Sequence, residues 1–508
     1  MTARPDENRR RWLLLAAMAG ALSMILADAA IVGVVLPTVQ REFDLSTSAL
    51  QWVANAYLLT LATFIAVGGR LTDMLGGVRV FNVGVTLFAL SSATAAVAPS
   101  GGWLVAARAA QGVGAALTMP PSLTLVVSAF PPQERGRAVG IRLSVATVFL
   151  LLGPLLGGLL TQGASWRWVF WINLPLSAAA LLLTRIARPI GRGDAGARMD
   201  LRGLLCLVPG LAAVVLATMQ GTAWGWDAPA TIGLLAVGAT LLAAFVMIEW
   251  RASEPLVQLR LFEHRSFTAE ALVVFLIQFA LIGLTVFGAI LLQDLLGFTP
   301  IEAGLAILPT TISIAVVAPA AGWLYDRGGV RPLLVAGTAI VAGSLIWTGT
   351  VIDELSYVWL LPGYIGIGVG IGLTSGPVNV DAVTSVPAAL RGQAAGMLQL
   401  ARQVGGTIGL AVIGAVVVGV QDARLSERFG RSELPSDRLA AVERVLAEDP
   451  GSQHAIAVQV PGADVGTVLE AARDAEVAGL SSAYYVAGGA LTLALLVAIV
   501  LLRRAGSG

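Results

Sequence analysis

The chain contains 508 residues, of which 56% are hydrophobic and 12% are charged, and its mean hydropathy is +0.82. Soluble domains carry about 25% charged residues, so this composition excludes a water-soluble globule and indicates a protein that lies in a lipid bilayer. The net charge of +1 excludes the strong basic bias of a nucleic-acid-binding protein. A single cysteine, Cys206, excludes an intrachain disulfide.

Apolar runs of about 20 residues, the length that crosses a bilayer as a helix, recur along the whole chain. The first run is too long for a signal peptide, and no small-residue cleavage site follows it. The runs predict fourteen membrane-spanning helices, near 13–37, 50–70, 79–98, 102–126, 137–162, 168–186, 201–221, 229–249, 268–292, 303–325, 331–352, 357–384, 392–420 and 480–502.

The basic residues, which are all arginine, predict the orientation of these spans. When the N-terminus is placed in the cytoplasm, 21 of the 32 arginines fall in inside segments, and only Arg41 and Arg167 fall in the short outside loops. Cytoplasmic loops of membrane proteins carry an excess of basic residues. The sequence therefore predicts that both termini are cytoplasmic.

One long polar segment, 421–479, interrupts the pattern of short loops. Its charges alternate in sign, and apolar residues recur at helical spacing around Leu439 and Leu446 and again around Val468. These features predict a helical, amphipathic loop on the extracytoplasmic side. It is either a solvated spacer or a segment that gates substrate or binds a partner.

The chain repeats itself when it is shifted by about 254 positions: the motif at 69–79 returns at 322–331, and the motif at 135–140 returns at 391–396. Since a six-helix unit needs fewer residues than this shift, two extra helices must lie between the units. Parallel repeats of this kind place a substrate path between the halves, near the middle of the bilayer. We predict an N-terminal six-helix bundle over 1–190, a two-helix insertion over 191–265, and a C-terminal six-helix bundle over 266–508 that includes the 421–479 loop.

Four motifs follow one another in the first part of the chain: 28–37 (DAAIVGVVLP), 69–76 (GRLTDMLG), 108–114 (RAAQGVG) and 153–158 (GPLLGG). Together with 166–175 (WRWVFWINLP), they resemble the major facilitator superfamily and, within it, the fourteen-helix drug:proton antiporter family. The resemblance implies an all-α integral membrane protein of two six-helix bundles with two additional helices inserted between them. It also implies export of amphipathic drug-like or antibiotic compounds from the bacterial cytoplasm in exchange for protons. The protein is thus expected to be a multi-pass protein of the cytoplasmic (inner) membrane.

Asp28 and Arg108 are the predicted proton-coupling residues. Asp28 lies nine residues before Pro37, or about 13 Å from the outer end of the first span at 1.5 Å per residue. Arg108 lies six residues after Gly102, or about 9 Å below the same surface. The resemblance implies that both helices line the central cavity, so the two side chains can meet. A static ion pair that only holds the helices together is the alternative.

A conformational switch is predicted at the repeated loop motif. A carboxylate at Asp73 can cap the N-terminus of another helix and pair with a loop arginine such as Arg79. In the family the equivalent aspartate braces the helix that begins here near Gly392. The predicted switch residues are Gly69, Asp73, Gly76, Arg79, Asp326 and Arg327.

The antiporter-type motif predicts a closely packed and bent fifth span, because small residues allow helices to approach and proline sets a bend. Its residues are Gly153, Pro154, Gly157 and Gly158. Further candidates, for the substrate cavity, are Gln111, Arg142 and Asp381. Arg142 either faces the cavity or extends to the membrane surface. Asp381 either lines the cavity or lies at the membrane interface.

No lysine is present, so a phosphate-binding Gly-x-x-x-x-Gly-Lys loop is impossible, and energy must come from an ion gradient. We expect no enzymatic activity, no cofactor and no metal site. The expected partners are a proton, a small-molecule substrate and membrane lipid, without nucleic acid, and we expect a monomer. Two alternatives stay open: a dedicated exporter of one natural product, and a non-transporting membrane sensor or lipid-handling protein.

The predicted topology is testable by cysteine labelling in a Cys206→Ser background. A cysteine placed after Arg504 should react only with reagents that reach the cytoplasm, and one within 421–479 should react from outside. Labelling of both positions from the same side would contradict the fourteen-span topology.

Overall fold

A computed structural model describes residues 5–189, 199–225, 228–252, 255–430 and 465–502. Within these ranges the chain forms fourteen long helices joined by short connections, and it contains no β-strand. Thirteen of the helices are long and apolar enough to cross a membrane. The fourteenth, α9, has 26 residues. The all-α membrane fold predicted above is confirmed. The helices are α1 (Pro5–Phe43), α2 (Thr47–Leu75), α3 (Gly77–Ala96), α4 (Gly101–Ala129), α5 (Arg135–Gly163), α6 (Asn173–Ala187), α7 (Leu201–Trp224), α8 (Pro229–Arg251), α9 (Arg265–Ile290), α10 (Pro300–Gly328), α11 (Val330–Val351), α12 (Tyr357–Thr384), α13 (Arg391–Gly430) and α14 (Val465–Leu501).

The last two helices are longer than predicted. Helix α13 continues to Gly430 and α14 begins at Val465, so both ends of the 421–479 segment are helical extensions of the neighbouring spans. Arg428 and Asp474 form an exposed ion pair between these extensions. The apolar stretch around Leu439 lies outside the described residues.

The two halves of the chain pack in the same way. In the first six helices α2 packs on α4, α3 on α4, and α1 on α5; in the last six α10 packs on α12, α11 on α12, and α9 on α13. The inserted helices α7 and α8 pack on each other, and α7 also contacts α2 and α13. We propose that the divisions near residues 190 and 265 separate these packing units.

The connection before α6 is anchored at the end of α1. Trp166 is buried, and its indole N–H donates a hydrogen bond of 2.6 Å to Glu42, which also pairs with Arg167 at 2.7 Å. Burial acts to raise the pKa of the Glu42 carboxyl, but the hydrogen bonds from Trp166 and Arg167 outweigh it and hold the pKa below its ordinary value. This anchor lies beyond the apolar span of α1, where a charged pair remains in contact with water.

The two halves meet along two equivalent pairs of helices, α2 with α13 and α5 with α10. Asp73, near the end of α2, accepts hydrogen bonds of 2.7 Å from the backbone N–H groups of Gly392 and Gln393 at the start of α13. The first N–H groups of a helix have no partner within the helix, and a carboxylate satisfies them and matches the helix dipole. Asp73 therefore caps a helix of the opposite half.

Asp326, near the end of α10, repeats this contact in the other direction. Its carboxylate oxygens accept hydrogen bonds of 2.8 and 3.0 Å from the N–H groups of Gly136 and Arg137, at the start of α5. Helices joined by short connections alternate in direction, so both caps lie at the end of the bundle where α1 begins. We call this end the N-terminal face.

Glycines allow the helices to approach closely beside both caps. A Cβ atom added at Gly69 would lie 2.6 Å from the carbonyl oxygen of Gly392, and one added at Gly136 would clash with the backbone of Gly322. Both halves also turn at a glycine with positive φ, Gly76 at 88° and Gly329 at 73°, which side chains with a Cβ rarely adopt. The N-terminal face is therefore closed by two related contacts.

We expect Asp73→Asn and Asp326→Asn each to loosen the N-terminal face. The amide keeps the size of the side chain but replaces one charged acceptor with a donor, which costs about 1–3 kcal/mol and is enough to shift a closely balanced conformational equilibrium. Spin labels at the exposed positions Leu75 and Ser385, in a Cys206→Ser background, should report a longer-distance population in Asp73→Asn.

Asp353→Asn, which changes an exposed carboxylate at the opposite face, is the matched control and should leave that distance unchanged. Substrate affinity should be retained in Asp73→Asn, because the cap bonds backbone of the opposite half. An unchanged distance distribution together with lost affinity would contradict the bracing role.

Candidate functional site

A fully buried ion pair lies inside the N-terminal half. Asp28 of α1 and Arg108 of α4 are each 1% exposed, and Nη1 of Arg108 donates a hydrogen bond of 2.5 Å to Oδ2 of Asp28. The other carboxylate oxygen, Oδ1, accepts hydrogen bonds from Gln111 Nε2 at 2.9 Å and from Asn173 Nδ2 at 2.8 Å. Three donors from α4 and α6 thus surround the carboxylate of α1.

A second set of contacts holds these donors in place. Ser92 of α3 accepts hydrogen bonds from Gln111 and Asn173 at 2.7 and 3.1 Å. Arg108 donates from Nε to the carbonyl oxygen of Val53 at 3.1 Å, and its guanidinium lies 4.4 Å from the ring centroid of Tyr57, both on α2. The network therefore joins five helices of one half around a single negative charge.

Three residues of this network have roles that the sequence analysis did not predict. Gln111, predicted to line the substrate cavity, is instead enclosed within this network, because its amide bridges Asp28 and Ser92. Asn173 was quoted only as part of a motif, and Ser92 was not singled out at all. Asn173 lies five residues inside the predicted span 168–186 and is the first residue of α6, and its place in the 166–175 motif was the available signal.

The antiporter-type motif packs against the turns of α1 that carry Asp28. A Cβ atom added at Gly153 would lie 2.7 Å from Cβ of Ala30, and one added at Gly157 would lie 3.2 Å from Cγ2 of Ile31. Small residues at both positions let α5 approach α1. At Gly158, by contrast, an added Cβ would meet no atom of the described residues within 4 Å, so the predicted close approach does not extend to it. Pro154 lies inside α5.

The arginines of the predicted switch do not pair with its aspartates. Arg79 is exposed at the start of α3, and among the described residues it forms no ion pair with Asp73, on which the charge of Arg70 acts instead. Arg327 is also exposed, and its guanidinium lies 3.5 Å from the ring centroid of Trp323. The backbone N–H groups of the opposite half, rather than loop arginines, bind the two carboxylates.

A pair of acidic side chains lies in the C-terminal half, near the N-terminal face. Glu270, six residues into α9, is 0% exposed, and neither of its carboxyl oxygens has a hydrogen-bond partner among the described residues. Asp381, in the last turns of α12, is the charged residue that acts on Glu270. The hydroxyl of Tyr325 donates a hydrogen bond of 2.9 Å to Asp381. The sequence analysis did not select Glu270, because the residues around it in the chain do not indicate that Asp381 lies nearby.

Arg142 does not extend to the membrane surface. It is 6% exposed, and its Nη2 donates a hydrogen bond of 2.5 Å to Ser122 of α4. Across the interface between the halves, Arg402 of α13 is the charged residue that acts on Arg142. Arg402 donates a hydrogen bond of 2.6 Å to Gln399 on its own helix.

The similarity to known proteins covers most of the helical bundle. The sequence model of the Major Facilitator Superfamily matches residues 17–410. The multidrug resistance protein Stp of Mycobacterium tuberculosis (strain CDC 1551 / Oshkosh) is 37% identical to this chain, over 84% of this chain and 79% of its own length. The tetracenomycin C resistance and export protein of Streptomyces glaucescens is 32% identical, over 96% of this chain and 91% of its own length.

Among solved structures, the crystal structure of a double-tryptophan mutant of XylE has a TM-score of 0.65 with 15% sequence identity, and the alignment covers 99% of this chain and 97% of that one. At this identity the likeness concerns the fold alone. The family match gives the classification: the chain, which is similar to multidrug and antibiotic resistance transporters, belongs to the major facilitator superfamily.

Proposed function

We propose that the protein is a proton-coupled antiporter that exports amphipathic drug-like or antibiotic compounds from the bacterial cytoplasm. The observation that carries the proposal is the ionisable Asp28, buried inside the membrane bundle and held by donors from α4 and α6. Ionisable residues inside a bundle are rare and mark proton or substrate pathways. The resistance transporters among the relatives support a drug-like substrate.

Asp28 would exchange its proton through the movement of Arg108. In the conformation described here three donors stabilise the ionised carboxylate, and a proton would have to compete with the guanidinium. If Arg108 withdraws in another conformation, the buried carboxylate loses its counter-charge and gains a proton instead. A proton-motive force of roughly 150 mV would supply about 3.5 kcal/mol per proton for this cycle.

A dedicated exporter of one natural product is the second candidate. The tetracenomycin C resistance and export protein is named for a single compound, and its match extends over 96% of this chain. The same arrangement of Asp28 and Arg108 would serve either exporter, because coupling and substrate choice reside in different residues. Substrate range is therefore measured separately from coupling.

Asp28→Asn should abolish uphill export while leaving the protein folded, since the amide keeps the size of the carboxylate but cannot bind and release the proton. The measurement is dye efflux from proteoliposomes with an imposed proton gradient, with and without an uncoupler. Asp353→Asn, an exposed aspartate of the C-terminal half, is the control and should export like the wild type.

Active, uncoupler-sensitive efflux by the Asp28→Asn protein would rule out Asp28 as the essential proton carrier. A wild-type efflux rate that changes neither with the proton gradient nor with the uncoupler would rule out proton coupling itself.

We further propose that Glu270 and Asp381 form a second proton-binding site. An ionised carboxylate that is fully buried and lacks donors is costly, so Glu270 is stable when it carries a proton. Tyr325, which bonds Asp381, directly precedes Asp326, the residue that caps α5. Loss of the proton from Glu270 would place a negative charge near this contact and favour opening of the N-terminal face.

Glu270→Gln copies the shape of the protonated side chain but cannot release a proton. We expect the variant to fold normally and to release fewer protons than the wild type when substrate is added to the purified protein in weakly buffered solution containing a pH indicator dye. Glu354→Gln, an exposed glutamate at the opposite face, should release the wild-type amount. Equal proton release from Glu270→Gln and the wild type would contradict the second site.

A further inference from the structure

Two arginines, one from each half, lie deep between the halves. Arg142 lies seven residues after Arg135, the first residue of α5, or about 10 Å into the bundle at 1.5 Å per residue. Arg402 lies eleven residues after Arg391, the first residue of α13, or about 16 Å from the same face. Both residues lie within the membrane-spanning segments of their helices.

Contacts to Ser122 and Met119 of α4 connect the surroundings of the two side chains. Arg142 donates to Ser122 Oγ, and the Ser122 hydroxyl donates to the carbonyl oxygen of Met119 at 2.9 Å. The thioether of Met119 accepts a contact of 3.9 Å from Gln399 Nε2, and Gln399 Oε1 accepts from Arg402. The arginines thus face one region of the interface, where α4, α5 and α13 meet.

Neither arginine has a counter-charge among the described residues. Neither forms an ion pair there, and their side-chain hydrogen-bond acceptors, Ser122 and Gln399, are neutral. The buried Nε of Arg142 has no acceptor at all in this part of the chain. Asp28 binds Arg108 rather than either of these arginines, and Asp381 accepts its hydrogen bond from Tyr325.

Two positive charges that face each other in a membrane interior without an acid are costly, because burial penalises each charge and their mutual repulsion adds to it. An anion placed between them would remove both costs. The planar guanidinium presents paired N–H donors that match the two oxygens of a carboxylate. Met119 lies beside these donors and offers an adaptable apolar wall for the rest of a ligand.

From this geometry we infer that Arg142 and Arg402 bind the negatively charged group of the exported compound, so the preferred substrates are amphipathic organic anions that carry a carboxylate or an acidic phenol. This inference rests on the proposed export function and specifies its substrate class. Because α5 and α13 belong to different halves, one bound anion bridges the halves and is released when they separate. Substrate binding is thereby tied to the rocking movement.

The test compares two xanthene dyes of similar size, fluorescein, which is anionic at mildly alkaline pH, and rhodamine 123, which is cationic. Binding to the purified full-length protein is measured by fluorescence anisotropy. The wild type should bind fluorescein more tightly than rhodamine 123. Arg142→Gln and Arg402→Gln should each weaken fluorescein binding by about tenfold or more, without weakening rhodamine 123 binding.

Arg428→Gln, which removes an exposed arginine remote from this region, is the matched control and should leave both affinities unchanged. Arg402→Lys should retain part of the affinity for fluorescein, because the charge remains while the paired donors are lost. In the absence of dye, Arg402→Gln should raise the thermal unfolding temperature by relieving repulsion, whereas a purely structural brace would lower it. Failure of the wild type to bind fluorescein, or fluorescein affinities that ignore both arginines, would overturn the inference.

The binding assay requires no transport, so the two proposals fail separately. Fluorescein binding that depends on both arginines, without uncoupler-sensitive export, would leave the anion site standing and refute proton-coupled antiport. The opposite result is uncoupler-sensitive export of rhodamine 123 by the wild type and both variants, with fluorescein affinities that do not change when either arginine is replaced. It would refute the anion site and leave proton-coupled antiport standing.

Discussion

The inability of a hydrocarbon interior to solvate charge is the constraint on which the arrangement of the N-terminal half depends. Asp28 is tolerated there because Arg108, Gln111 and Asn173 replace the water that its carboxylate would otherwise bind. These partners come from α4 and α6, and Arg108 is itself held by backbone of α2. Satisfying one carboxylate therefore fixes the relative positions of several helices, which packing of alanine and leucine surfaces alone would leave less defined.

The backbone of the repeat is symmetric, whereas its buried charges are not. Asp73 and Asp326 make equivalent caps because each binds backbone N–H groups, which every helix start provides whatever its side chains. The interior side chains differ: the N-terminal half holds a neutralised pair, and the C-terminal half holds Glu270 beside Asp381. Equivalent contacts at the N-terminal face thus join two halves whose interior charges differ.

The interface between the halves concentrates the remaining charge. Arg142 and Arg402 come from equivalent regions of α5 and α13 but approach each other without an acid. An ion pair within one half stabilises that half in every conformation, whereas charges that meet across the interface respond to the distance between the halves. The first arrangement suits a permanent framework, and the second suits a ligand that is bound and released during each cycle.

The sequence alone determined the number of the helices, because an apolar run of sufficient length must cross the bilayer. It also determined the depth of Asp28 and Arg108, since depth follows from counting residues along a helix. Which face of a helix a residue occupies, and which helix lies opposite, depend on contacts far apart in the chain. Only the tertiary structure could therefore show that Gln111 is enclosed and that Asn173 bonds Ser92. For the same reason, only it could show that Asp381 acts on Glu270 and that Arg142 points inward rather than to the surface.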